Sequence, residues 1–391
     1  MTQASLQMVA AMKGFATFLL LLIAALLGTM AWGGHEVPIY PSFYPHEIEI
    51  RTLASEQSAD VLVKANIHAY VGEAPRFAGP LPEPLGAVES LGAFVVVRIN
   101  PRSPRAADEA SACSVTHRVV RDLAGKSGDL IFHPYPITPF HGSYLYHADL
   151  AEAAKARFSD TAGGVLAAVG ELKIRARGRL AQSHPDWAER DADWDAEVIE
   201  IDAAELVASA TLAVNGWAAP PWMRSGWFHA ERLLAGAAGD PADKQRIETN
   251  SQRLMAGEFD GLVERINLER DLIAALTAGC RTIVAGYTVK REYFNAEFSA
   301  GIENVGYDAI EGLQSPIFIR TVKLKDFPWN GWLAIGVDGQ PKATWNPIGG
   351  MNDRFGRLMW SAVGDPAVIP SPYGAGWMLN RIADIPPNTP R

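Results

Sequence analysis

Cysteine is almost missing from this chain: Cys113 in "SACSVTH" and Cys280 in "TAGCRT" are the two thiols among 391 residues. Two thiols cannot supply a CxxC zinc site, a CxxCH haem attachment or an iron–sulfur cluster bound wholly by this chain's cysteines. They either lie unpaired in the core, where a free cysteine behaves as a small apolar residue, or form one bridge. Basic residues are also few, 35 Lys and Arg against 44 Asp and Glu, for a formal net charge of −9. They are scattered, and a nucleic-acid partner, which needs a clustered basic face, is excluded.

Complete catalytic signatures are absent too. Gly125-Lys126-Ser127 lacks the glycine five positions upstream that a phosphate-cradling loop requires, because Val120 stands there. No GxGxxG opens a helix, and neither HExxH nor GxSxG occurs. Asp191, Asp193 and Asp195 imitate the start of a calcium loop, yet Ala196 sits where the sharp turn demands glycine, so the segment reads as a solvated acidic loop. With no catalytic residue to name, enzymic activity is not the expected role.

What the chain does hold is an uncharged run, "GFATFLLLLIAALLGTMAWG" from Gly14 to Gly33, preceded by Lys13. Its length falls between a signal-peptide core and a membrane span, so residues 1–34 are expected to be either a cleaved export signal or an N-terminal membrane anchor. In both cases the rest of the chain lies outside the cytoplasmic membrane, on the periplasmic side of a bacterial envelope, where a Cys113–Cys280 bridge becomes permissible.

With 48% hydrophobic and 20% charged residues the remainder is globular and long enough for about two domains. Alternating patterns predict strands at "EIEIRTL", "ADVLVKANIHAYV", "GAFVVVRIN", "GDLIFHPYP", "GELKIRARGRL" and "AEVIEID", with a helix at "HADLAEAAKARF". From about Trp227 the period changes to that of three successive helices, with Asp240-Pro241 as a cap and Gly279 as a stop. Leu262, Ile266, Leu268, Leu272, Ile273 and Leu276 form their apolar stripe. Strands return at "RTIVAGYTV" and "PIFIRTVKL" and in a hairpin turning at Asp338-Gly339, while the carboxyl end reads as ordered loop. The expected fold class is mixed α/β (α+β) in two lobes, a strand-rich lobe over 35–215 and a helix-plus-strand lobe over 216–391.

Two constellations carry candidate chemistry. "HPYPITPFHGSYLYH" spaces His133, His141 and His147 along a proline-stiffened loop. Neutral imidazoles converging there would suit zinc or copper with tyrosine phenols behind them; the plainer alternative is a loop that packs its rings on a neighbouring lobe. The second is aromatic: Trp217, Trp222 and Trp227 surround a double proline, and "KDFPWNGW" adds Trp329 and Trp332. Exposed, Trp222, Trp227, Trp329 and Trp332 would make a ligand platform, with Arg320 and nearby Arg224, Lys323 and Lys325 to counter an anion; buried, they fill the junction between lobes. Glu292 and Glu297 are polar candidates for the cleft. Three functions of different class follow: a membrane-associated periplasmic binding protein holding a small-molecule ligand between its lobes, a non-catalytic accessory subunit of a membrane complex held by its N-terminal helix, or a histidine-ligated metalloenzyme.

Overall fold

The computed structural model describes residues 45–72, 74–126, 129–159, 171–180, 184–187, 193–210, 221–297, 300–325, 331–342, 353–364, 367–380 and 382–383. The export segment, Trp217 and Trp329 lie outside the described residues. The strands are β1 (Glu47–Thr52), β2 (Ala69–Val71), β3 (Leu85–Ile99), β4 (Ile131–Phe132), β5 (Ile174–Arg177), β6 (Ala196–Asp202), β7 (Thr282–Asn295), β8 (Trp332–Val337), β9 (Val368–Pro370) and β10 (Trp377–Leu379). The helices among the described residues are α1 (Ser55–Val63), α2 (Glu109–Lys126), α3 (Ala148–Ser159), α4 (Ala203–Ala210), α5 (Gly226–Leu234), α6 (Pro241–Ala256), α7 (Gly261–Leu276), α8 (Pro316–Thr321) and α9 (Arg354–Val363).

The architecture is mixed α/β, and two long antiparallel strands organise it. β3 and β7 pair from Leu85 opposite Asn295 to Arg98 opposite Thr282, interrupted by register shifts between Leu91 and Phe94 and between Val95 and Val96. At one end β7 accepts β2, then β8 and β1; at the other β3 accepts β6 and then β5, while β4 adds to β7. Alternation along β3 sends Phe94 and Val96 into a core with α5, α6 and α7, and Val95, Val97 and Ile99 into a core with α2 on the opposite face. At the far end Val88 joins Ile335, Phe318 and Leu358, whereas Leu85 joins Tyr70 and Leu62. Two packed lobes thus share β3 and β7, and both register shifts fall on the helical side, among residues of the cores that hold α2 and α5 to α7. The sheet takes strands from both sides of residue 215, since β1 and β2 flank β8.

Local chemistry explains both the expected elements and the corrections. Asp240 caps α6 by accepting from the Ala242 amide, Pro241 opens it, and Gly257 closes it in the left-handed region. The stripe on α7 buries Leu268, Leu272, Ile273 and Leu276 but leaves Leu262 exposed. "ADVLVKANIHAYV" is a strand only at β2. Its first part completes α1, burying Ser58 and Leu62 one turn apart, and Ala65 at φ 55° then reverses the chain. "PIFIRT" is α8 rather than a strand, because Ser315 accepts from the Ile317 amide and Pro316 is pre-set for a first helical turn. The carboxyl end contains α9, whose first amides at Phe355 and Gly356 donate to Asp353. β8 pairs in parallel with β1 and β2; the return arm expected after Asp338-Gly339 lies largely outside the described residues.

Cys113 on α2 and Cys280, just before β7, form a disulfide across a sequence separation of 167. The alternative of two unpaired core thiols is thereby replaced. No helix among the described residues is long and apolar enough to cross a membrane.

Candidate functional site

The waist between the lobes concentrates buried charge. On β3 and β7, Val88 faces Glu292 and Ser90 faces Lys290, so all four side chains share one face of the sheet. A tight loop closes over that face: the Asp308 and Gly312 backbones bond to each other in both directions, at 3.2 and 2.9 Å. Gly312 has φ 66°, and a Cβ there would come within 2.1 Å of the Glu292 carboxylate, so glycine is required on both counts. The loop is tied down when Leu91 donates to the Ala309 carbonyl at 2.8 Å and Leu313 to Glu292 at 2.6 Å. Lys290 Nζ lies 2.8 Å from the other oxygen of Glu292.

Asp308 binds this loop to the helical lobe. One carboxylate oxygen accepts from the Ile310 and Glu311 amides, both at 2.8 Å, and the other accepts from Arg224, at the end of the short 3-10 turn Pro221–Arg224. The second guanidinium arm of Arg224 is 3.8 Å from Glu311. Burial works against the charge on Arg224, but Asp308 and Glu311 hold it protonated. Burial pushes the Glu311 carboxyl above the usual carboxylate range; Arg224 opposes the rise and Asp308 adds to it. Two cations and three carboxylates therefore meet on the regular stretch of the β3–β7 ladder, next to the first register shift. The β9–β10 hairpin reaches the same place, its Pro372 carbonyl accepting from Ala309 at 2.9 Å and its Tyr373 ring lying edge-on to Tyr307 at 6.3 Å.

The histidine loop lies inside the helical lobe. His133, His141 and His147 are buried, and His141 meets a fourth, His229 of α5. His141 Nδ1 accepts from the Thr138 amide at 2.9 Å, so its neutral ring carries the proton on Nε2 and donates to His229 Nδ1 at 3.0 Å. His133 Nε2 donates to the Ile137 carbonyl, and the Tyr135 hydroxyl donates to His147 Nδ1, each at 2.9 Å. His147 then faces the buried Glu269 of α7, at 3.7 Å. Burial lowers the pKa of His133, takes His141 to about 4 and His229 well below the ordinary value. In this arrangement His133, His141 and His147 each bond to a protein partner through at least one ring nitrogen, while His147 Nε2 is buried without a hydrogen-bond partner among the described residues. Among the described residues, the group of three possible ligand side chains with atoms within 4.8 Å of one another is Glu109, Cys113 and Cys280, whose sulfurs belong to the disulfide.

The aromatic candidates divide. Trp222 lies 5.9 Å from Trp227 and 5.1 Å from Phe228, but Trp227 is 2% exposed and belongs to the core. Arg320 on α8 donates to the Gly364 carbonyl, and Trp332 opens β8 opposite Glu47 with 68% of its surface exposed. Of the residues named from sequence, Arg224 and Glu292 reach the waist, while Glu297 caps a local turn at Ala300. Ser90, Lys290, Asp308 and Glu311 were not singled out. The signal available was "DAIEG", an Asp whose side chain folds the next amides into a turn, closed by glycine.

No family model and no curated protein sequence matches the chain. Among solved structures, a nickel ABC transporter protein from Bacillus halodurans is similar with a TM-score of 0.41 and 10% identity, over 68% of this chain and 60% of that one. The oligopeptide-binding protein AppA from Bacillus subtilis, in complex with a nonapeptide, has a TM-score of 0.37 and 12% identity, over 69% and 58%. A periplasmic EDTA-binding protein, EppA, has a TM-score of 0.35 and 11% identity, over 62% and 52%. The chain thus spans between half and three fifths of the length of these proteins, and likeness at this level assigns no ligand.

Proposed function

We propose that this chain is a periplasmic binding protein that takes a small ligand at the waist between its lobes, beside Arg224, Lys290, Glu292, Asp308 and Glu311. The observation that carries the proposal is the buried, multiply charged junction on the two strands that both lobes share. Buried ion pairs contribute little net stability, since desolvation offsets their attraction, so such a cluster at a junction between cores suits recognition better than folding. The Cys113–Cys280 bridge supports the compartment, because structural disulfides persist outside the reducing cytosol. Membrane association through residues 1–34 belongs to the same proposal.

The test is a thermal-melt screen of the exported region against small metabolites, repeated for Arg224→Met. A ligand at one hundred times its Kd adds about 2.7 kcal/mol, a readable rise in Tm. The proposal expects at least one ligand to raise the Tm of the wild type and to lose its effect in Arg224→Met. A broad screen without any shift, or a shift indifferent to Arg224, refutes it. Membrane fractionation of cells carrying the full chain tests the anchor separately.

A further inference from the structure

Away from the waist, α5 and α6 enclose a groove of about 260 Å3 on the helical lobe. We propose that this groove is a second binding site, for a small primary amine with an apolar chain, whose ammonium group sits between Glu231 and Ser251.

The groove differs from an ordinary helix–helix furrow in its polar floor. Ser251 is 4% exposed, and its hydroxyl oxygen has no hydrogen-bond partner although it lines the space. Buried hydroxyls in folded proteins are nearly always satisfied, so this oxygen is an acceptor held ready for a donor. Glu231 enters from α5, and no lysine or arginine among the described residues forms an ion pair with it. Burial pushes its carboxyl above the ordinary range, and the charge of the adjacent Arg232 only partly opposes the rise. A carboxylate in that condition gains when a cation docks against it.

The rim and walls define the rest of the ligand. Lys244 and Glu248 lie one turn apart on α6 with opposite formal charges, and Glu248 accepts from Gln252; together with Glu231 the charged lining carries one negative charge in excess. Ile247, Met255 and Ala235 supply apolar wall, so the occupant carries a hydrocarbon body as well as a charge. The volume falls below the roughly 300 Å3 at which sites for drug-sized ligands begin, which limits that body to a few carbons. An anion is disfavoured by the two carboxylates. A metal ion is disfavoured because the described residues offer no third ligand atom within reach.

The experiment is titration calorimetry of the exported region with 3-methylbutan-1-amine and with 3-methylbutan-1-ol, which has the same chain without the charge. The expected result is one amine bound per chain, with the alcohol at least about tenfold weaker. Glu231→Gln should weaken the amine by a similar factor, and Ser251→Val should block it by filling the floor. The wild-type comparison needs no variant to fold, and circular dichroism melts verify those that are made. No heat from the amine, equal binding of the alcohol, or amine binding untouched by both substitutions overturns the proposal, the last by placing the amine elsewhere on the protein.

Discussion

Removing the disulfide is the sharpest perturbation of the fold. The bridge closes a loop with a sequence separation of 167, for which the chain-entropy relation gives about 17 cal/mol/K, or about 5 kcal/mol at 25 °C. Native contacts hold the two ends together without it: Thr116 donates to the Cys280 carbonyl at 2.8 Å, and the Cys280 amide donates to Glu109 at 2.6 Å. The folded state of a Cys113→Ala, Cys280→Ala double variant should therefore survive, and the loss should come from the freer unfolded chain. Both cysteines lie in the lobe built on α2, where Ala112 and Val115 are core residues. Urea unfolding followed by tryptophan fluorescence should show a loss of about 3–5 kcal/mol in that lobe's transition, with the m-value rising as the denatured state expands. If the lobe holding α8 and α9 unfolds separately, its midpoint should stay in place. A loss below about 1 kcal/mol, or an intact mass showing two free thiols in protein taken from the periplasm, refutes this account.

Other perturbations probe the waist and the histidine loop. Arg224→Met leaves Asp308 buried and uncompensated and should cost about 3–5 kcal/mol, with Asp308→Asn in the same chain recovering part of it; denaturant melts of the four-member cycle give the coupling. Gly312→Ala should cost about 2 kcal/mol or more, since it adds both an unfavourable φ and a clash with Glu292, and the check is the Tm of the variant. The folded pKa of His141 is depressed to about 4 from an unfolded value near 6.5, so the unfolded chain binds the extra proton in between. Stability is then full above about pH 6.5 and falls by about 3 kcal/mol as the pH drops to about 4, below which this group adds no further loss. Urea midpoints across that range should fall less steeply in His141→Gln, with a residual slope from His133 and His229.

Much of the architecture was legible, and its failures have local causes. α6 announced itself through Asp240-Pro241, where cap and proline agree, whereas its own stop at Gly257 emerges only from the left-handed backbone there. β3 and β7 were readable at their apolar halves, "FVVVRI" and "TIVAGYTV", but each runs on into polar residues that the alternation rule treats as loop. Those polar halves hold Ser90, Lys290 and Glu292, so the stretch that looked least like strand positions the waist. α2 lies where no element was assigned, although Ala112, Val115, Val119, Val120 and Leu123 bury with helical spacing; short side chains and scattered charge dilute its apolar stripe. β-branched residues misled at α8, where a serine cap and a proline outweigh the strand preference of "IFIRT".

Tryptophan illustrates why residue type alone does not locate a site. Trp227 and Trp332 are alike in sequence, each flanked by glycine within two positions, yet one fills the core of the helical lobe and the other starts β8 in solvent. What separates them is the period of the neighbours: Trp227 shares a helical face with Ala230 and Leu234, whereas Trp332 falls on the strand face opposite Leu333. The same substitution should therefore give opposite answers. Trp227→Ala removes a packed indole and should cost about 3–5 kcal/mol, whereas Trp332→Ala should stay within about 0.5 kcal/mol. A large loss at Trp332 would mean that its ring is covered in the working protein, as the contact role expected of it from sequence would require.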